Sequence, residues 1–325
     1  MTPVETVVTI TLNPSVDYLL EVDRLEPEEK LRTTLKETEP DGGGIQVARG
    51  LRRLGTAVEA IVTIGGSTGK ALLALLEHEG LNVRPVWVQP DTRPCFTVNV
   101  TSTGENFRLV AGARPLADFE YEPTLERLRE IESLPPYVVL SGSLPPGVPP
   151  EFVQRIAEVT AERSSSLLVD TSGPALRAAL DAKVAVLKPS KEELAALVGA
   201  DPDDPSFDVA AAAREVVGGG VGAIVVSLGP DGAYVASQSG DDVVLSAPQI
   251  EVVSTVGAGD SMVAGLVAGL SRGLPLIGAA RLGVATGTGT CLHRGSQLFT
   301  SEDIHDLLPQ ITVRRLAPGE PVTAA

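Results

Sequence analysis

The chain alternates short, continuously apolar segments with amphipathic ones. Residues 7–12 (VVTITL), 61–64 (IVTI), 138–140 (VVL), 167–170 (LLVD), 184–187 (VAVL) and 224–228 (IVVSL) read as buried strands. Between them, residues 45–54, 68–79, 150–163, 191–198 and 209–217 carry apolar side chains at helical spacing. Strands that are apolar on both faces and alternate with helices predict an α/β fold, a mostly parallel sheet in a three-layer α/β/α core.

Two segments break this rhythm. Residues 17–38 mix polar and apolar positions without a helical period. In residues 92–110 (TRPCFTVNVTSTGENFRLV), Phe96, Val98 and Val100 alternate with polar residues before a Ser-Thr-Gly turn, the pattern of a half-exposed hairpin. Together they predict a small β-sheet projecting from the core as a lid or dimer contact. The expected division is a core of residues 1–16, 39–91 and 111–325, and a lid of residues 17–38 and 92–110. Residues 318–325 are expected to be disordered.

Aromatic residues make up only 3% of the chain, so Ala, Val, Leu and Ile must build the core. The net charge of −16 repels phosphate backbones and anionic membranes, which argues against nucleic-acid and membrane partners. An anionic small substrate then needs a local cluster of Arg and Lys. Cys95 and Cys291 are too few for a disulfide framework or a zinc site, which fits a reducing compartment. The first 20 residues lack the basic start and apolar block of a signal peptide, and residues 262–270 are too short an apolar run to span a bilayer. A cytoplasmic protein is expected.

Several glycine-rich stretches resemble ligand loops. Residues 65–70 (GGSTGK) look like a phosphate-binding loop but are one residue short between the glycines, with Ala71 where a magnesium-binding hydroxyl belongs, and read better as a turn into a helix. His78, His293 and His305 have no ligand-like spacing. The strongest segment is 254–265 (STVGAGDSMVAG). Two glycines precede a helix-patterned run, so free N–H groups of Gly257, Ala258, Gly259 and Asp260 can hold an anion. Asp260 beside them could accept the proton of an attacking hydroxyl, although by itself it reads more simply as a helix N-cap. Residues 41–49 (DGGGIQVAR) again place glycines before a helix, with Gln46 offering amide hydrogen bonds. Residues 187–193 (LKPSKEE) follow a strand; locally, Ser190 and Glu193 form a capping box. Residues 141–147 (SGSLPPG) and 227–232 (SLGPDG) read singly as turns.

Taken together and in this order, with residues 11–17 (TLNPSVD) added, these segments resemble the PfkB (ribokinase-like) family of carbohydrate kinases over nearly the whole chain. Within it the phosphosugar kinases fit best, in particular the 6-phosphofructokinase group. The resemblance implies a ribokinase-like core with a small β-sheet lid. It also implies ATP-dependent phosphorylation of a ketohexose phosphate, foremost fructose 6-phosphate to fructose 1,6-bisphosphate. The 1-phosphofructokinases and tagatose-6-phosphate kinases resemble the chain too, but typically carry a lysine where this chain has Gly43. A non-catalytic sugar-phosphate sensor is the alternative of another class, disfavoured by Asp260, Glu193 and the Gly-Ala-Gly run.

By the same resemblance, Asp260 is the base and Gly257, Ala258 and Gly259 form the anion hole. Asp17, Gly42, Gly43 and Gln46 hold sugar hydroxyls. Arg93 meets the sugar phosphate with Ser143 nearby, and Lys30 and Arg32 add positive charge from the lid, across a homodimer interface. Lys188, Ser190, Ser227 and Gly229 line the ATP phosphates, and Glu193 organises Mg²⁺ through water. Potassium is a further candidate ion near His293 and Gln297. Three departures stand out: Asp41 replaces the family's usual glycine, Gln46 its usual asparagine, and Ser190 the asparagine of its Asn-x-x-Glu motif.

Overall fold

A computed structural model describes residues 6–295, 297–317 and 319–322. The chain begins with strands β1 (Thr6–Thr11), β2 (Ser15–Val22) and β3 (Thr34–Asp41), helix α1 (Gly43–Arg53), β4 (Ala57–Gly65), α2 (Gly66–His78), β5 (Asn82–Val88), β6 (Arg93–Val100) and β7 (Asn106–Val110). It continues through α3 (Asp118–Tyr121), α4 (Pro123–Arg129), β8 (Tyr137–Ser141), α5 (Phe152–Glu162), β9 (Ser166–Asp170), α6 (Gly173–Asp181), β10 (Val186–Leu187), α7 (Lys191–Val198), α8 (Val209–Gly218) and β11 (Ala223–Ser227). Strands β12 (Ala233–Ser237) and β13 (Asp242–Leu245), helices α9 (Ala258–Ser271), α10 (Leu276–Thr290) and α11 (Ser301–Leu307), and β14 (Val313–Arg315) complete it.

Ten strands form one sheet in the order β14-β13-β12-β11-β10-β9-β8-β1-β4-β5. From β11 to β5 every pairing is parallel; β12, β13 and β14 add an antiparallel edge. Side chains alternate between two buried layers, which is why the parallel strands are apolar throughout. On β1, Val8 and Ile10 join one core with Leu125, Phe152, Leu176 and Leu194 of the helices on that face, while Val7 joins a second core with Met262, Leu266 and Ala280 of α9 and α10. Large aromatics are scarce in both layers, as the composition requires.

The four remaining strands form the predicted small sheet, in the order β3-β2-β6-β7. Its first segment starts at Ser15 and runs on to Asp41, wider than the expected 17–38, so both residues belong to the small sheet. The sheet is amphipathic. Tyr18 stacks on Phe96 at 5.4 Å between ring centres, and Leu35, Phe107 and Leu109 stay exposed.

Two other expectations change and one holds. The strand over 184–187 is reduced to Val186–Leu187, because the chain turns at Lys183 with a positive φ of 53°. Residues 65–70 enter α2 directly, as a turn into a helix. Of residues 318–325, only 319–322 lie among the described ones, and there Glu320 is placed: Arg314 pairs with its carboxylate at 2.5 Å and Arg214 donates to its carbonyl at 3.2 Å. No helix among the described residues is long and apolar enough to cross a membrane, and Cys95 and Cys291 are free.

Candidate active site

The motifs meet at the carboxyl ends of the parallel strands, where open α/β sheets hold ligands. Asn13 follows β1, Ser141 ends β8 with Gly142 and Ser143 after it, Asp170 ends β9, Lys188 follows β10 and Ser227 ends β11. The open N-terminus of α9 faces the same edge. Gly257 caps this helix at φ +75°, a left-handed backbone that glycine adopts without strain, and no side chain bonds to the cap. Among the described residues, no acceptor takes the N–H groups of Gly257, Gly259 and Asp260, whereas the Ala258 N–H, expected free, donates to the Thr255 carbonyl at 3.3 Å. A Cβ on Gly257 would meet nothing within 4 Å, and one on Gly259 only Lys188 Nζ at 3.8 Å, so this end is open for an anion.

Asp260 is not the N-cap. It is the third residue of α9, and its carboxylate accepts from Ser141 Oγ at 3.2 Å. Ser141 also reaches Asp170 at 3.4 Å, and buried Lys188 pairs with Asp170 at 3.1 Å. Burial, then the nearby charges of Asp170 and Asp41, push the Asp260 pKa up to about 8 against the opposing pull of Lys188 and Ser141. Burial pulls Lys188 down, but Asp170, with Glu193 and Asp260 behind it, outweighs that and holds its ammonium above the usual lysine range. The result is a carboxyl with high proton affinity beside a cation and an open helix terminus.

Asp170 has no place in the sequence reading, although it stands at the end of the predicted strand over 167–170. An acid closing a buried parallel strand, at the edge where ligands collect, was the available signal.

On the other side of Asp260, α1 packs against the β8 end. A Cβ on Gly43 would lie 2.5 Å from Gly142 N and 2.6 Å from Ser141 Oγ; one on Gly42 would lie 2.8 Å from Thr11 Cγ2. Protein atoms therefore fill the space that these glycines leave, and only their backbone groups remain to meet a ligand. Gln46 is bonded within the protein itself. Its side chain is 1% exposed. Its amide nitrogen donates to Asp41 Oδ1 at 2.9 Å and to the Pro40 carbonyl at 3.3 Å, while its oxygen accepts from Arg49 at 2.9 Å. The longer amide is thus committed inside the fold.

Asp17 sits half-buried on the lid. Its carboxylate accepts from Ser15 Oγ at 3.2 Å, and Arg108, from β7, places one nitrogen 3.2 Å from both Asp17 and Asp41. Burial and then Asp41 raise the Asp17 pKa, with Arg108 opposing. Arg108 is a second residue that the sequence reading missed.

Arg93 and Arg114 line a small cleft with Asn13, Asp91, Thr92 and Pro145. Arg93 donates to the Ala111 carbonyl at 3.4 Å, and its buried Nε has no partner among the described residues. Ser143 accepts from Asn13 at 2.9 Å and so adjoins this cleft. Lys30 and Arg32 are exposed in the loop between β2 and β3, where neither forms a hydrogen bond or ion pair among the described residues.

Ser190 caps α7, and Glu193 returns the bond: Glu193 N donates to Ser190 Oγ at 3.2 Å and Ser190 N to Glu193 Oε2 at 2.8 Å. The local capping-box reading is what forms. Ser190 also bridges Ser227 across the β10–β11 ends, and exposed Gly229 opens a short 3₁₀ turn beyond. Lys188, Ser190, Ser227 and Gly229 therefore follow or end two neighbouring strands. His293 is tied to Asp303 at 2.7 Å, and Gln297 donates to Glu37 of the lid at 3.5 Å.

A profile described as pfkB family carbohydrate kinase matches residues 10–303. The chain is 39% identical over 298 residues to the ATP-dependent 6-phosphofructokinase isozyme 2 of Mycobacterium tuberculosis, covering 92% of this chain and 87% of that one. It is 33% identical over 309 residues to the 1-phosphofructokinase of Bacillus subtilis, covering 95% and 99%. The phosphofructokinase-2 of Escherichia coli, solved in complex with fructose-6-phosphate, superposes with a TM-score of 0.85 at 36% identity, over 94% of this chain and 99% of that one. The same enzyme in complex with potassium gives 0.88, and its tetrameric inhibited form gives 0.86, at the same identity and coverage.

Proposed function

The chain belongs to the pfkB family of carbohydrate kinases, a phosphotransferase with a hydroxyl acceptor, and we propose that it phosphorylates fructose 6-phosphate to fructose 1,6-bisphosphate with ATP as donor. The observation that carries this is the Asp260 carboxyl held by Ser141 beside the unpaired N–H groups of α9 and the Lys188–Asp170 pair. The raised proton affinity of Asp260 suits it to take the proton of the attacking primary hydroxyl. The α9 N-terminus stabilises charge on the transferred phosphoryl group, so the protein's work is alignment and electrostatics.

Asp17 faces the acceptor's hydroxyls, and the backbones of Gly42 and Gly43 lie against them. Arg93, with an orphaned buried donor, takes the sugar phosphate. Ser143 stands by, and Lys30 and Arg32 reach the phosphate from a second protomer. Lys188, Ser190, Ser227 and Gly229 line the ATP phosphates.

Among the described residues no group of three or more His, Cys, Asp or Glu could hold a metal ion. Mg²⁺ would be held mainly by nucleotide phosphates and water, with Glu193 and Asp170 as the carboxylates to hydrogen-bond that water. When bound, the ion neutralises charge on the phosphates. Glu193 brings a carboxylate whose pKa burial and then Asp170 raise, with the Ser190 N–H and Lys188 opposing. A potassium response is proposed on the strength of the E. coli relative's potassium complex.

The chain pairs through the apolar lid face of Leu35, Phe107 and Leu109, and the E. coli relative's tetrameric form is consistent with self-association. The second acceptor reading, phosphorylation of fructose 1-phosphate or tagatose 6-phosphate, draws on the B. subtilis relative. Against it stands Gly43, whose packing on Gly142 leaves no room for a lysine.

A coupled ADP-release assay across fructose 6-phosphate, fructose 1-phosphate, tagatose 6-phosphate and the free sugars tests the proposal. We expect the highest kcat/KM with fructose 6-phosphate. A preference for another acceptor reassigns the substrate, and turnover with none points to a sensor.

A further inference from the structure

Asp41 occupies a position that the function above leaves unused. It is the last residue of β3, immediately before the α1 entry, whose Gly43 abuts Ser141, and Ser141 holds Asp260. The Asp41 carboxylate is held from three sides. Gln46 donates to Oδ1 at 2.9 Å, and Arg108 and Ser15 approach Oδ2 at 3.2 and 3.5 Å. Ser15 and Arg108 hold the neighbouring Asp17 carboxylate in the same way, so one hydroxyl and one guanidinium fix two acids side by side. Behind them Gln46 is locked by Arg49, which itself pairs with Glu39 and Glu79 at 3.5 and 2.8 Å.

With both ends of its amide bonded inside the protein, buried Gln46 is poorly placed to meet a ligand. A carboxylate has about four lone-pair positions, and the bonds above leave Asp41 with spare acceptor capacity. Its side chain is 18% exposed and that of Asp17 is 13% exposed. Two carboxyl groups side by side match two neighbouring hydroxyls of a polyol, each donating to one acid.

We propose that Asp41 is a specificity-determining residue of the acceptor site: beside Asp17, it accepts a second ring hydroxyl of the sugar, in the place the sequence assigns to Gln46. Gln46 is then a positioning residue, holding Asp41 in line through its own amide nitrogen while Arg49 anchors its oxygen. This rests on the reading of the site as a ketohexose phosphate kinase.

The test compares wild type, Asp41→Asn and Gln46→Asn with fructose 6-phosphate and its 3-deoxy and 4-deoxy analogues. Wild type should lose about 10- to 100-fold in kcat/KM with the analogue lacking the hydroxyl that Asp41 reads. Asp41→Asn should lose a similar factor with the full sugar and little more with that analogue, with KM for ATP unchanged. Gln46→Asn should weaken the sugar yet keep the deoxy penalty. If Asp41→Asn folds poorly, Asp41→Glu keeps the charge with a longer arm and should still alter the penalty.

The proposal falls if Asp41→Asn matches wild type with all three sugars, if it penalises them in the wild-type pattern, or if Gln46→Asn erases the penalty instead. Wild-type turnover of fructose 6-phosphate reports separately on the underlying reading: with turnover present, a silent Asp41 overturns this proposal alone. No turnover with any ketohexose phosphate overturns both.

Discussion

Replacing Asp260 by Asn keeps the shape of the side chain and removes its ability to take a proton. Two opposite effects follow. Turnover should fall on the order of 10²–10⁴-fold, the usual size of a general-base contribution, while ATP binding persists. Stability should rise. Folding lifts the Asp260 pKa from the ordinary 3.8 to about 8, so between these pH values the unfolded chain binds fewer protons than the folded one, and stability falls as pH rises. At about 1.4 kcal/mol for each pH unit, the full penalty is on the order of 5 kcal/mol above pH 8 and close to zero below pH 4. Asn escapes it. The gain of Asp260→Asn over wild type in denaturant unfolding should therefore grow from pH 5 to pH 9, alongside a collapse in ADP release. Near wild-type turnover refutes the proton-acceptor role. A stability difference that does not change with pH refutes the electrostatic account.

Three further outcomes are expected. Arg93→Ala should raise KM for fructose 6-phosphate about 10- to 100-fold and leave KM for ATP nearly unchanged, since the proposed role makes it a charged contact to the sugar phosphate alone; equal effects on both substrates would refute the assignment. In wild type, kcat/KM for the sugar should climb about fivefold from pH 7 to 8 as Asp260 ionises through about 8, a range in which the sugar phosphate is already dianionic; a flat profile contradicts it. Gly43→Ala should destabilise the fold by about 1–3 kcal/mol, because the added Cβ would sit 2.5 Å from Gly142 N; calorimetry showing no shift in Tm would deny the close packing.

The core was readable because its strands are buried on both faces and so spell continuous apolar words, as in residues 7–12 and 224–228. The lid was readable because Phe96, Val98 and Val100 alternate. The glycine segments marked strand ends, but not what fills the space around each glycine. Gly43 is empty of side chain so that α1 can meet Ser141, and Gly257 so that a helix end stays open; the local sequence is similar, and only the packing partner differs. The same limit hid Asp170, whose importance depends on Lys188 arriving from the next strand. Arg108 and Gln46 are long side chains whose partners lie far along the chain or across a helix turn, so spacing could not fix where they point. The β12–β14 edge was missed because β12, though buried, follows β11 across a short glycine-rich turn, while β13 is four residues and half-buried and β14 is three residues and exposed.

A ten-stranded open sheet leaves two unpaired margins, each able to template another chain. Here both are blunted. At one margin, β14 is three residues long, exposed at each of them, and carries Arg314 and Arg315. At the other, β5 includes Pro85, which has no N–H to offer an incoming strand, next to Arg84 paired with Glu59 at 2.6 Å. Copies of the protein that collide edge to edge in a crowded solution therefore find charge and missing donors in place of a continuing ladder. The fold resists runaway stacking even though its sheet is wide, and an association that forms must use some other part of the surface.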